Sequence, residues 1–137
     1  MRIWKPQMRN RGQSLVEAAL ALPVLIMLML GLLDFGRAYY AVVSLKDAAD
    51  EGASYASCSP ADVTGIRQRA AEASRQLAPI EPNDVTVIYP PALHAGAPIT
   101  VTTRLTLRLY TPFANALVAD SELELHGSAT HALVSTH

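Results

Sequence analysis

One run dominates the chain: residues 18–33 form 16 consecutive positions without a charge. Extending back to Ser14 gives 20 residues with one carboxylate, Glu17, near the start. At about 1.5 Å of rise per residue, such a helix covers roughly 30 Å, the thickness of a bilayer's hydrocarbon core. A run of this length predicts a membrane-spanning helix and puts everything after it on one side of the bilayer. Arg2, Lys5, Arg9 and Arg11 precede the run with no acid among them, whereas Asp34, Arg37 and Lys46 follow it. The basic excess predicts a cytoplasmic N-terminus and a C-terminal portion outside the cytoplasm.

A secretory signal peptide is the first competitor. Its apolar core runs roughly 7–15 residues and ends in a small-x-small cut site. Here the run is longer and passes into Leu32-Leu33-Asp34-Phe35-Gly36-Arg37 with no Ala-x-Ala at the proper place. The other place to cut lies in front of the run. Gly12 ends the basic leader, and Glu17 follows five positions later at the mouth of the greasy segment. A residue without a side chain lets a protease approach the backbone closely. A carboxylate at the centre of a membrane helix costs about 2.5–3.5 kcal/mol, and less near an end, where it can snorkel. Glu17, one turn inside, is therefore either tolerated at the interface or retained for a partner.

The stretch Arg11-Gly12-Gln13-Ser14-Leu15-Val16-Glu17, continued through Leu33-Asp34-Phe35-Gly36-Arg37-Ala38, resembles the TadE-like minor pilins (pseudopilins) of the tight-adherence (Tad/Flp) type IV pilus systems. The resemblance covers roughly residues 11–57 well and the remainder only in general architecture. It departs from the wider pilin pattern at Ala18, where an aromatic residue often follows the Glu, and at Pro23, inside the span. The resemblance implies a prepilin peptidase cutting between Gly12 and Gln13. It also implies that Glu17, the fifth residue of the mature chain, meets the N-terminal amine of a neighbouring subunit during assembly. The implied partners are that peptidase, a major Flp-type pilin, other minor pilins, an inner-membrane assembly platform and membrane lipid, with no nucleic acid. Two alternatives stand beside it: an unprocessed, single-pass periplasmic binding module, and a type II secretion pseudopilin.

The expected organisation is a basic cytoplasmic leader at 1–12, a transmembrane helix at 13–33, a stalk helix at 34–57 and an extracytoplasmic α+β domain at 58–137. Pro23 removes a helix hydrogen bond and predicts a bend. In the stalk, Phe35, Tyr39, Val42, Ala49, Ala53 and Ala56 fall on one face and predict its buried stripe. Lys46 and Asp50 stand at i, i+4, the spacing of a weak helix pair. Ala48, Ala49, Gly52, Ala53 and Ala56 are small enough for close approach of a sheet or of neighbouring helices. Ser59 reads as the N-cap of a second helix over 60–77, with Val63, Ile66, Ala70, Ala73 and Leu77 inward and Arg67, Arg69, Glu72 and Arg75 in water.

Strands are expected at 85–89, 99–109 and 121–134. Ile99, Val101, Thr103, Leu105, Leu107 and Leu109 alternate with Thr100, Thr102, Arg104, Thr106 and Arg108, one face on a core and one face wet. In the third strand Leu123, Leu125, Ala129 and Leu133 point inward, Glu122 and Glu124 can meet Arg104 and Arg108 across the polar face, and Gly127 suggests a bulge. Residues 111–120 read as a connector. The expected fold is pilin-like: a long N-terminal helix, a second helix and a three-stranded antiparallel sheet.

Composition narrows the chemistry. Net charge is −1, which gives no global pull toward nucleic acid. With one cysteine, Cys58, no intrachain disulfide is possible, and Cys58 is either a buried thiol, the favoured reading, or a handle for an intermolecular bridge. The four histidines, 94, 126, 131 and 137, show no metal-ligand spacing, and His126 and His131, five apart, should point to opposite faces of their strand. No nucleophilic set or phosphate-binding loop is present, so neither enzyme activity nor a cofactor is expected.

Overall fold

The computed structural model describes residues 10–76, 78–111 and 122–134, with side chains from residue 12 onward. The leader before Asn10, Leu77, most of the expected connector and the last three residues lie outside the described residues. A single helix, α1 (Asn10–Cys58, 49 residues), runs through Pro23 and joins the apolar run to the stalk. At about 1.5 Å per residue it is roughly 73 Å long. Helix α2 (Val63–Ser74) and strands β1 (Val85–Ile88), β2 (Pro98–Arg108) and β3 (Glu122–Ala132) complete an α+β fold. A short 3-10 turn, Pro82–Asp84, leads into β1.

The sheet is antiparallel in the order β1-β2-β3. Both helices lie on one face, where Leu45, Ile66, Val85, Ile99, Val101 and Leu133 make the core with Ala48, Ala53, Ala56 and Ala70. Burying each of the larger side chains contributes about 1.5–3 kcal/mol. The expected alternation of β2 holds, with Ile99, Val101 and Thr103 fully buried. Leu105, Leu107 and Leu109 share that side but are half-buried. Across the wet face Arg104 reaches Glu124 at 3.4 Å, and Arg108 lies opposite Glu122 in register. His126 sits on this face near Glu124, and His131 is on the other, bonded to Asp50 of α1 at 2.8 Å.

Several local expectations are corrected. The buried stripe of the stalk is Ala41, Ser44, Leu45, Ala48, Ala49, Gly52, Ala53 and Ala56. Its lower half is rotated from the predicted one, leaving Phe35 and Tyr39 69% and 61% exposed. Asp34 lies off the predicted stripe yet is buried, accepting from the Tyr110 N–H just past β2, and together with the close crossing of Leu45 by Gly127 it orients the rod. Asp50 takes His131 as its partner in place of the expected Lys46.

Helix α2 begins three residues later than predicted. Ser59 and Pro60 belong to a turn in which the Asp62 N–H donates to the Ser59 carbonyl at 3.2 Å. Asp62 is the true cap, accepting from the Gly65 N–H at 2.9 Å and from the Tyr55 hydroxyl at 2.9 Å. Ser74, its hydroxyl donating to the Ala71 carbonyl at 3.0 Å, is buried where Ala73 was expected. Arg67 is half-buried instead of solvated. Cys58 is exposed, because the buried stripe of α1 passes through Ala56 and Ser57 and leaves the helix's last residue facing out.

Gly127 makes no bulge: the β2–β3 register runs unbroken from Pro98↔Ala132 to Arg108↔Glu122. The glycine is needed for approach. A Cβ at 127 would fall on the backbone carbonyl of Leu45, so β3 can cross α1 only where a side chain is missing. Its register partner Thr103, fully buried, donates its hydroxyl to the same Leu45 carbonyl at 2.8 Å.

Candidate functional site: the N-terminal segment and the clasp at its far end

Two features stand out along α1. The first is its N-terminal end. Gly12 is helical and lies two residues after the first described one. A Cβ there would meet nothing within 4 Å, so the backbone at the Gly12–Gln13 bond is bare on its side-chain face. The Gln13 amide donates to the Glu17 carboxylate at 3.3 Å, an exposed i, i+4 contact. The residues singled out from the sequence are thus brought together on one turn, with Gln13 above Glu17. From 12 to 29 every side chain is exposed, and Glu17 is the sole ionisable residue from Gly12 through Leu33. From 15 to 29 the helix presents Leu, Val, Ile, Met, Ala, Pro and one carboxylate, and among the described residues nothing in its own fold covers that surface. It is long and apolar enough to cross a membrane.

The second feature, missed in the sequence, closes the stalk onto the sheet. Asp34 is 5% exposed. Its carboxylate accepts from the Tyr110 N–H at 2.9 and 3.1 Å, from the Thr111 N–H at 2.8 Å and from the Thr111 hydroxyl. Arg37 lies 3.6 Å away, donates to the Arg108 carbonyl at 3.4 Å and places its guanidinium 4.4 Å above the Tyr110 ring. Burial pushes the Asp34 carboxyl up, but the Thr111 and Tyr110 hydrogen bonds, with Arg37, outweigh it and hold the group below the usual carboxylate range. The charged form is therefore the bound one. The only sequence signal was an acid at the immediate exit of an apolar run, which an ordinary solvated flank also provides. Its partners stand 76 and 77 positions later, beyond any local pattern.

Among the described residues no group of His, Cys, Asp and Glu could hold a metal ion. The geometry defines a class: a single-helix membrane-anchor candidate whose rod continues into, and is clasped by, a small α+β head. Residues 12–54 match the family model of TadE-like proteins, a match that begins at Gly12 and ends inside the stalk. The likeness to TadE-like proteins covers the rod and leaves the head outside the match. No curated protein and no solved structure matches the chain.

Proposed function

We propose that this chain is a minor pilin (pseudopilin) of a tight-adherence type IV pilus. It crosses the inner membrane once through residues 13–33, with its N-terminus in the cytoplasm and its head in the periplasm. A prepilin peptidase removes residues 1–12 by cutting between Gly12 and Gln13. The mature chain then acts in pilus assembly, initiation or capping, with the major Flp-type pilin, other minor pilins and the assembly platform as partners. The proposal gives it no catalytic role.

The observation that carries this reading is a coincidence on one short stretch: a family match starting at Gly12, a glycine whose Cβ position meets no described atom within 4 Å, and one carboxylate a turn further into an otherwise apolar rod. Cutting exposes a new amine on Gln13. Within its own chain Glu17 has the Gln13 amide beside it, which is neutral and exchangeable. A neighbouring subunit's amine offers Glu17 a full charge in a medium where an unpaired carboxylate costs about 2.5–3.5 kcal/mol at the centre of a span.

The test is coexpression with a prepilin peptidase, read by intact-mass spectrometry. The wild-type chain should begin at Gln13, Gly12→Val should remain full length, and Glu17→Ala should still insert but fail to join the assembly. A wild-type chain that keeps residues 1–12 in the presence of an active peptidase leaves only the unprocessed anchored module.

A further inference from the structure

We propose that the base of the head rests on the outer headgroup layer of the membrane, held there by an aromatic girdle made jointly by the rod and the sheet. This rests on residues 13–33 being a span. Phe35, Tyr39 and Tyr40 follow the end of that span within two helical turns and are 69%, 61% and 61% exposed. Phe35 and Tyr39, one turn apart, share one side of α1 and Tyr40 points off beside them, all away from the face that Asp34 and Ala41 give to the head. The fourth member comes from the sheet. Tyr110, 68% exposed, has its backbone N–H 2.9 Å from the Asp34 carboxylate, which places it level with the first residue beyond the apolar run.

Below this level the rod presents Leu32 and Leu33, both strongly exposed. Above it the exposed side of α1 turns to Lys46, Asp47, Asp50 and Glu51. Exposed aromatic rings at the boundary between an apolar and a charged surface match the headgroup level, where a Tyr ring rests on acyl chain ends and its hydroxyl stays wet. Water gives no reason to leave four large aromatic side chains more than half exposed around one short level. The nearby charges favour contact without requiring anionic lipid: Arg37 is paired with Asp34 and stacked on Tyr110, and Arg108 faces Glu122 in register. The occupant is therefore the lipid interface itself.

The experiment uses the full chain in vesicles of phosphatidylethanolamine and phosphatidylglycerol, and again in phosphatidylcholine, each with a headgroup spin-labelled lipid. In a Trp4→Phe background, Tyr110→Trp places one fluorophore at the proposed contact. Tyr39→Trp repeats the measurement on the rod, where a substitution touches no packing of the head. Ala61→Trp, exposed in the turn at the far end of α1, is the distant control. The girdle predicts that the Trp at 110 and the Trp at 39 lose most of their emission to the headgroup label in both lipids and are shielded from aqueous iodide. The Trp at 61 should show the reverse. If the chain resists alkaline carbonate extraction but the Trp at 110 is quenched by iodide like the Trp at 61, the inference falls and the span stands. If carbonate releases the chain, the span reading falls and takes this inference with it.

Discussion

Asp34 shows how much one carboxylate can decide. It ties the rod just past its apolar run to Tyr110 and Thr111, which follow β2, and so helps to set which face of the stalk meets the sheet. Asp34→Ala leaves the Tyr110 and Thr111 donors without their acceptor, and a lost buried partner costs about 1–3 kcal/mol. We expect a lower urea midpoint and faster amide exchange at 110 and 111, with the core amides of β2 changed less. The pH dependence has a definite sign. Because the folded group titrates below its ordinary value of 3.8, the unfolded chain binds the proton first as pH falls. The clasp's contribution is full above that value and is lost as pH drops through the lower, folded one. Unfolding of the wild type should steepen with acid in that window, whereas Asp34→Asn should lack this component. Gly127 is the second decisive residue. Gly127→Ala drives a methyl group into the Leu45 backbone, which cannot swing aside as a side chain could, so we expect a loss of about 1–3 kcal/mol in thermal or urea unfolding.

Elements were legible to the degree that their signals were local. β2 announced itself through strict alternation, and its buried side, Ile99, Val101 and Thr103, is the one the pattern indicates. The charge pairing across the wet face was readable too, since Arg104 and Glu124 follow from antiparallel neighbours with matching outward positions. The rod was legible as one helix because nothing stops the pattern between the apolar run and Cys58. Its rotation was not legible, because small residues at 48, 49, 52, 53 and 56 fit more than one stripe, and contacts with residues distant in sequence, 110 and 111 at Asp34 and 103 and 127 at Leu45, select among them. The start of α2 was misread because Ser59-Pro60 and Asp62 both offer capping chemistry. Asp62 has the better partners in three dimensions, the Gly65 N–H and the Tyr55 hydroxyl from the preceding helix. Those bonds hold the Asp62 carboxyl below its ordinary range. Asp62→Ala should fray the first turn of α2, seen as reduced exchange protection at Gly65 and Ile66 and a lower midpoint. Asp62→Asn, able to accept at the cap, should recover part of the loss.

At the scale of the whole molecule, a rod that is bare below and clothed above places two solvents on one helix. Among the described residues nothing covers side chains 12–29, and that stretch is apolar enough for lipid to cover it, as the proposed span requires. The upper part is covered by the sheet and α2, and Asp34 marks the changeover. That division explains why the apolar helix was readable: an uncharged run states its chemistry in order along the chain. It also explains why the clasp was not, since it exists only once β2 has folded back to the membrane exit. The central claim is that the rod is trimmed at its cytoplasmic tip so that Glu17 can meet a neighbour's new amine. The most direct measurement is the first residue of the protein recovered from a host making pili, read by mass spectrometry. The account predicts Gln13. A chain that still carries residues 1–12 while pili form normally would contradict it.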